Sequence, residues 1–307
     1  MATTNNLTTT YAGEFAGKYV SAALLSGKTL AEGNITIKPN VKYKEVMKKV
    51  STDDIVKDAS CDFDATSTLT LTERILTPEE FQVNLQLCKK DFRSDWDAIS
   101  MGYSAFDNLP PSFSDFLIAH VADKVAQRME NNIWSGTNAN AGQFDGFTTT
   151  LTADGDVVDV AAGAVTSANV ITELGKIADA VPSAVYGSED LFIYVSNNIY
   201  RAYVRALGGF ATNVGAAGTD AKGTQWFNGG ALTFDGINIV MASGLANNTA
   251  VAAEKSNLFF GTGLMSDQNE VKVIDMADID GSQNVRVVMR FTAGIQHAIG
   301  SDIVLYS

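Results

Sequence analysis

The pattern of apolar and polar residues in the first third of the chain predicts extended backbone structure. Residues 60–76 (SCDFDATSTLTLTERIL) alternate between the two kinds and are rich in Thr, which predicts a strand. Residues 34–50 (NITIKPNVKYKEVMKKV) also read as extended, although Pro39 excludes a central position in a sheet. The two segments together predict a β-ribbon with two long arms. Because these arms have few large apolar residues, we expect the ribbon to lie on a neighbouring molecule.

A helical pattern replaces the extended one in the middle of the chain. From residue 112 to 134, apolar side chains recur at spacings of three and four, which predicts one helix about 34 Å long. Pro110 and Pro111 precede this helix, Ser112 can cap it, and Gly136 ends it. Its apolar stripe comprises Ile118, Val121, Val125, Met129 and Ile133. A stripe this narrow predicts a helix that is covered on one side only.

The remaining patterns predict five further regions. A helix is predicted over residues 11–27, and a strand with one buried face over residues 77–96. Residues 139–151 predict a loop. Short helices and strands then alternate over residues 152–264, which is typical of a compact α/β domain. The tail, residues 269–307, predicts two or three strands.

The distribution of charge separates the start of the chain from the rest. The formal net charge is −13, yet residues 1–60 carry +2 and residues 61–307 carry −15. Sequence-independent nucleic-acid binding needs a surplus of Lys and Arg, so this balance argues against it. Residues 38–49 (KPNVKYKEVMKK) form a local basic cluster. The cluster is either the solvated surface of a hairpin or a basic arm that meets the acidic body of another copy.

No pattern in the sequence predicts catalysis, a cofactor or a metal ion. His120 and His297 have no second His or Cys at ligand spacing, so we expect structural roles for both. The Gly-rich segment 208–230 has neither the spacing nor the preceding strand of a phosphate-binding loop. Residues 277–284 (ADIDGSQN) lack the ligand series of a calcium loop and predict a hairpin turn at Asp280-Gly281.

The cysteines and the apolar runs indicate where in the cell the protein would be found. Cys61 and Cys88 are expected to be reduced thiols, because the N-terminus has no secretory signal pattern. The longest apolar stretches, such as LFIYV at residues 191–195, are too short to span a bilayer. The sequence therefore predicts a cytoplasmic product without a membrane segment.

Four phrases of the sequence resemble a known family. They are MENNIWSGT (129–137), QFDGF (143–147), NLFFGTGL (257–264) and VRVVMRFTAGIQHAIGSDIVLY (285–306). In these phrases, and in the order of its predicted elements, the chain resembles the major capsid proteins of tailed double-stranded DNA bacteriophages, which have the Hong Kong 97-type fold. The resemblance implies an α+β protein with an N-arm, an extended β-ribbon called the E-loop, a P-domain with a long spine helix and a β-sheet, and a compact α/β A-domain.

The resemblance also implies how these parts divide the chain. The P-domain sheet would pair Phe81–Leu87 with Val271–Ile299. The full division is an N-terminal arm at 1–34, the E-loop at 35–76, the P-domain at 77–151 with its spine helix at 112–134, the A-domain at 152–264, and return strands of the P-domain at 265–307.

The function implied by the resemblance is assembly of an icosahedral shell around packaged DNA. Hexamers and pentamers of the chain would form the shell, which would hold DNA without sequence-specific binding. The implied partners are a portal protein, decoration proteins and a scaffolding protein. We expect the scaffolding protein to be separate, because the arm begins almost at the first residue. The protein would be made in the host bacterial cytoplasm and would end in the virion, with no membrane, cofactor or enzymatic role.

Lysines of the E-loop are the only candidate site residues. In this family the E-loop reaches onto neighbouring subunits, so the resemblance implies intersubunit contacts at Lys42, Lys44, Lys48 and Lys49. Some members crosslink an E-loop Lys to an Asn of a neighbour. We do not expect this chemistry here, because lysines are ordinary on an exposed ribbon.

Three alternatives remain at the level of the sequence. One is an encapsulin-like compartment shell, which shares the fold but encloses an enzyme. Another is a different phage structural protein, such as a tail-tube or decoration protein, although the helix at 112–134 argues against it. The third is an enzyme built on the α/β region, which lacks a workable set of acid, base and nucleophile.

Overall fold

A computed structural model describes residues 28–41, 43–52, 56, 58–59, 61, 69–88, 111–207, 232–263 and 272–307. The helices within these residues are α1 (Lys28–Ala31), α2 (Pro111–Ser135), α3 (Phe147–Thr152), α4 (Val170–Ala180), α5 (Asn197–Leu207) and α6 (Ala277–Asp280). The strands are β1 (Thr36–Lys38), β2 (Glu45–Thr52), β3 (Leu69–Leu76), β4 (Glu79–Cys88), β5 (Val158–Val160), β6 (Leu191–Val195), β7 (Leu232–Phe234), β8 (Ile237–Met241), β9 (Ala250–Glu254), β10 (Leu258–Gly261), β11 (Lys272–Asp275), β12 (Asn284–His297) and β13 (Val304–Tyr306). The helix predicted over 11–27 and the Gly-rich segment 208–230 lie outside the described residues.

The described chain divides into two compact units. The smaller unit contains Glu80–Met129 and Gly263–Thr292, and the larger contains Gly27–Glu79, Glu130–Thr262 and Ala293–Ser307. The boundaries fall inside α2 and inside β12, so each of these elements begins in the smaller unit and ends in the larger one.

In the smaller unit, strand β12 pairs with β11 and with β4. Buried and exposed residues alternate along β12, which buries Val287, Met289 and Phe291 on one face. The ring of Phe291 packs 5.7 Å from that of Phe81 on β4. The half-buried strand predicted over 77–96 is thus present as β4, Glu79–Cys88, while residues 89–96 lie outside the described residues.

The link between β11 and β12 differs from the predicted hairpin turn. It contains the helical turn α6, which ends at Gly281 with a φ of +70°. That left-handed conformation suits glycine, because a side chain at positive φ is strained. The chain reverses at the predicted position, but it does so through a helical turn, which is wider than a two-residue hairpin turn.

The core of the larger unit is a six-stranded sheet in the order β5-β13-β9-β6-β8-β7. Helices α4 and α5 bury apolar faces in its hydrophobic cluster, and two of the residues involved are Leu174 on α4 and Ile199 on α5. Tyr203 of α5 donates a hydrogen bond to the carbonyl of Thr233, at 2.7 Å. The predicted α/β region is therefore a sheet covered by two amphipathic helices.

The last strand lies in this sheet and not with the other tail strands. The sequence analysis assigned residues 265–307 to return strands of the P-domain, but β13 pairs in parallel with β5 and antiparallel with β9. All three of its residues are buried. A strand covered on both faces reads as a continuous apolar run, which does not indicate its partner strands.

Three consecutive residues near the C-terminal end of α2, Asn132, Ile133 and Trp134, are buried. Trp134 is fully buried, with its ring 5.5 Å from Phe147 and 5.0 Å from Tyr194. Its indole N–H donates to Thr29 Oγ1 (2.9 Å), and that hydroxyl donates to the buried carboxylate of Glu130. Burial raises the pKa of Glu130, although the hydrogen bonds from Thr29 oppose the rise.

The exit of α2 explains the phrases MENNIWSGT and QFDGF. The chain turns back so closely that a Cβ on Gly136 would sit 2.2 Å from the carbonyl oxygen of Phe144. Thr148 and Thr149 donate their hydroxyls to the carbonyls of Trp134 and Gly136, which have no partner inside the helix. Residues 147–152, which the sequence predicted as part of a loop, form α3 because Phe147 and Leu151 both bury their side chains.

Candidate functional site

Strands β2 and β3 form a two-stranded antiparallel ribbon that pairs with no other strand of the described chain. Their register runs from Glu45 opposite Leu76 to Thr52 opposite Leu69. An isolated pair of strands is marginally stable in water, so such a ribbon needs a surface that covers one of its faces. The predicted ribbon is present over residues 45–52 and 69–76, whereas residues 36–38 of the first predicted arm pair in parallel with β10.

One face of the ribbon is apolar and exposed. Residues opposite each other in the register share a face, which places Val46 with Ile75, Val50 with Leu71, and Lys48 with Glu73. We call this side the apolar ribbon face, after its five large side chains. Their exposed fractions are 46% for Val46, 56% for Val50, 62% for Leu69, 64% for Leu71 and 42% for Ile75. Contiguous exposed apolar side chains of this kind mark an interaction surface.

The candidate lysines do not gather on a single face. Lys48 is exposed and lies in the middle of the apolar ribbon face, whereas Lys49 belongs to the opposite face. Lys44 is exposed, with its ammonium 5.4 Å from the ring of Tyr43. Lys42 lies outside the described residues. The sequence located the ribbon through its extended pattern, but the expectation of few large apolar residues missed the apolar face, whose signal was the alternation of Val46, Val50, Leu71 and Ile75.

The base of the ribbon is fixed by its opposite face. Leu76 is fully buried, and its side chain packs where a Cβ on Gly261 would otherwise sit. Arg74 donates from Nε to the carbonyl of Ala298 (3.1 Å) and from Nη2 to Asp154 Oδ2 (2.5 Å). The amide of Gln296 donates to the backbone carbonyl of Ile75 at 3.1 Å. Because these contacts use the opposite face, the apolar ribbon face is directed away from the residues that hold the ribbon.

His297 completes a buried charged cluster at this base. Its Nε2 lies 2.7 Å from Asp154 Oδ2, the same oxygen that accepts a hydrogen bond from Arg74. Burial lowers the pKa of His297, and the hydrogen bond to Asp154 only partly offsets the shift. Burial would raise the pKa of Asp154, but hydrogen bonds from the His297 ring and the Asp156 amide, with the charge of Arg74, lower it. The ring is therefore neutral at pH 7 and donates to an ionised carboxylate.

Among the described residues, no hydroxyl or thiol is hydrogen-bonded to the ring of His297. His297 Nδ1 is buried and meets no hydrogen-bond partner among the residues described. A nucleophile would need to lie within hydrogen-bond distance of the ring. The cluster joins β3, β12 and the loop after α3, and its role is to hold the ribbon.

Within the described ranges, no group of three or more His, Cys, Asp and Glu side chains is placed to hold a metal ion. No helix in that part of the chain is both long and apolar enough to cross a bilayer. An open cleft of about 590 Å³ in the smaller unit is lined by Glu80, Phe81, Gln82, Arg290, Phe291 and Thr292.

Solved structures of viral shells share this architecture. The capsid of an empty GTA particle matches with a TM-score of 0.59 and 14% identity, covering 92% of this chain and 90% of that one. The capsid of cyanophage P-SCSP1u matches with a TM-score of 0.56 and 14% identity, covering 96% and 91%. The capsid of Myoviridae phage XM1 matches with a TM-score of 0.57 and 11% identity, covering 92% of each chain. This chain has the fold of these capsid proteins.

The capsid fold agrees with the resemblance found in the sequence, and the protein is a mixed α+β chain as expected. No protein-family model matches the sequence, and no curated protein sequence matches it either. Shell-forming chains share a fold while their sequences diverge, because the fold requires apolar patterns and turns in place of a fixed set of reacting residues.

Proposed function

We propose that this chain is the major capsid protein of a tailed bacteriophage and assembles into an icosahedral shell around double-stranded DNA. The observation that carries the proposal is the match to capsid structures over more than nine-tenths of the chain. The apolar ribbon face supports it independently, because a free monomer would leave that surface in water. An encapsulin-like compartment is not favoured, since the similar structures described above are capsids of phages or of GTA particles.

The proposal includes the Hong Kong 97-type division of the chain. Helix α2 corresponds to the spine helix, the ribbon β2–β3 to the base of the E-loop, and the pairing of β4 with β12 to the P-domain sheet. The six-stranded sheet corresponds to the A-domain, which then also includes β13. The proposed ranges are otherwise those of the sequence analysis, with the N-terminal arm at 1–34 and the E-loop at 35–76.

The ribbon is proposed to bind a neighbouring copy through its apolar face. Covering the exposed half of a Val, Leu or Ile contributes on the order of 1 kcal/mol, so five such residues supply several kcal/mol per contact. The Lys48–Glu73 pair at the centre of the face adds polar specificity, because a neighbour must match both charges. Folding of the ribbon and assembly of the shell are then coupled.

The remaining partners follow from the proposed shell. A scaffolding protein, a portal protein and decoration proteins would act with the chain during assembly in the host bacterial cytoplasm, and the finished location is the virion. Packaged DNA would be enclosed without sequence-specific binding. The net charge of −13 fits this role, since an acidic subunit does not grip a polyanion that must enter and leave.

The experiment places charge on each face of the ribbon in turn. We expect Val50→Lys with Leu71→Lys to abolish closed particles in negative-stain microscopy, while the unassembled subunit keeps its melting temperature within a few degrees. Assembly is lost because two ammonium groups would have to be desolvated at the contact. Thr70→Lys is the matched control, because Thr70 is exposed at the same end of β3 but lies on the opposite face.

The control should yield particles at the wild-type level. Normal particles from the Val50/Leu71 variant would contradict the proposed role of the apolar ribbon face. A wild-type chain that forms neither particles nor rings, alone or with a scaffolding protein, would contradict the capsid function itself.

A further inference from the structure

The two edges of the six-stranded sheet carry opposite charge. Helix α5 packs against the edge strand β7, through the hydrogen bond from Tyr203 to Thr233 and the ring contact of Tyr203 with Phe234. The exposed face of α5 presents Arg201 and Arg205, one helical turn apart. No ion pair found in the described chain includes either arginine. The exposed Asp235, directly after β7, carries one negative charge, so the two arginines leave this edge with a surplus of positive charge.

The opposite edge is acidic. It is formed by β5, whose middle residue Asp159 is exposed, and by the single turn Gly300–Asp302, which lies beside β5. Asp156 precedes β5 and has a largely exposed side chain that lies 3.9 Å from Arg74. Arg74 itself already bonds to Asp154. Asp156, Asp159 and Asp302 thus give this edge a surplus of negative charge.

The two edges are too far apart to neutralise each other within one chain. Six strands have five spacings of about 4.8 Å, so the edges are separated by about 24 Å. Charges interact in physiological salt over only about 8 Å, the Debye length. Each edge strand also pairs on one side only among the described strands, β7 with β8 and β5 with β13. Among the described strands, the outer side of each edge strand is therefore unpaired.

We propose that these edges meet between neighbouring copies, with Arg201 and Arg205 of one copy facing the β5 edge of the next. The inference rests on the proposed shell function, in which copies form closed rings. A ring contact is heterologous, so each copy must carry two different and complementary surfaces. A basic edge and an acidic edge on the same sheet satisfy this requirement. The geometry commits to a second copy because a nucleic acid would be attracted by one edge and repelled by the other.

The test is a charge exchange with rescue. Arg201→Glu with Arg205→Glu makes both edges acidic, and Asp159→Lys with Asp302→Lys makes the second edge basic. We expect each double variant alone to reduce the assembled fraction about tenfold or more. Sedimentation and negative-stain microscopy measure this fraction. The quadruple variant, in which the two edges exchange their charges, should recover particles. Because the edges lie about 24 Å apart within a chain, that recovery can arise only between copies.

Mixing the two double variants gives a sharper outcome. The variants must alternate around a ring for every contact to join opposite charges, so an equal mixture can close rings with an even number of copies only. We expect hexameric rings or open sheets from the mixture, and no closed shells, because a pentamer would contain one like-charged contact.

The matched control is Lys124→Glu with Arg128→Glu. These residues are also exposed and four apart on a helix, α2, and the change in charge is the same. Circular dichroism of the unassembled subunits checks that every variant folds. Wild-type particle yield from the Arg201/Arg205 variant, or a folded quadruple variant that does not recover, overturns this contact and leaves the capsid function intact. Failure of the wild-type chain to assemble would overturn the proposed function instead.

Discussion

At the scale of single residues, the base of the ribbon depends on one carboxylate with two partners. Asp154 accepts from Arg74 on β3 and from His297 on β12, so it fixes two segments that are distant in sequence. Removing it would leave a buried imidazole and a guanidinium without their acceptor, which costs more than the net value of the bonds themselves. The cluster is therefore a structural anchor whose stability depends on ionisation.

A pH dependence follows from the lowered pKa of His297. Because the folded state holds the ring neutral, its contribution to stability is present above the unfolded pKa of about 6.5 and is lost as the pH falls through the lower folded pKa. We expect the free energy of unfolding of the unassembled subunit to fall between pH 7.5 and pH 5 with a slope of up to about 1.4 kcal/mol per pH unit from this group. Urea titrations at several pH values measure it.

His297→Gln is the comparison variant for this slope. The difference between the two slopes isolates His297, because Asp154 has a lowered pKa and titrates below this range, while Glu130 contributes equally to both proteins. Identical slopes for the two proteins would show that the ring does not stay neutral in the folded state.

At the scale of elements, the exit of α2 is tightly constrained by the close approach of backbone. Gly136, Gly146 and Gly244 each stand where backbone passes within van der Waals contact, and a Cβ on Gly244 would meet the carbonyl oxygen of Glu130 at 2.1 Å. Ser135 donates to the carbonyl of Gly244 at 2.6 Å, which holds the two segments together. The end of the long helix is thus fixed by backbone approach as well as by Trp134.

Substitution of Gly136 tests this constraint. We expect Gly136→Ala to destabilise the subunit by about 2–4 kcal/mol, because the added methyl group overlaps two carbonyl oxygens that belong to backbone and cannot move cheaply. Gly175→Ala is the control, since nothing lies within 4 Å of its Cβ position in the middle of α4. The control should stabilise the subunit by about 0.5–1 kcal/mol through helix propensity. Equal effects in thermal unfolding would contradict the close approach.

At the scale of the whole molecule, the proposed shell function divides stability between folding and assembly. The larger unit has a buried core of its own, whereas the ribbon leaves five large apolar side chains exposed. Changes in the core should therefore reduce both the folding and the assembly of the chain, while changes on the ribbon should act on assembly alone.

The ribbon lysines give a prediction at this scale. We expect combined reversal to Glu at Lys44, Lys48 and Lys49 to reduce particle yield strongly, while the melting temperature of the unassembled subunit changes by a few degrees at most. The reason is that these exposed charges contribute little to the fold of one chain but would face a neighbour of net negative charge. Particle counts by microscopy measure the effect, and full-sized particles at normal yield would contradict it.

The sequence by itself determined the elements whose pattern is local. The stripe of Val121, Met129 and Ile133 predicted α2 and its buried side, and alternation predicted β3 of the ribbon and β4, because period and hydrophobicity act within a few residues. Only the tertiary structure decided which distant segments meet. It placed β13 in the six-stranded sheet, joined Arg74 to Asp154 and His297, and left one ribbon face bare. Those outcomes depend on pairing between segments about 50 or more residues apart, where strand register and the burial of charge are set by the assembled chain and not by its local pattern.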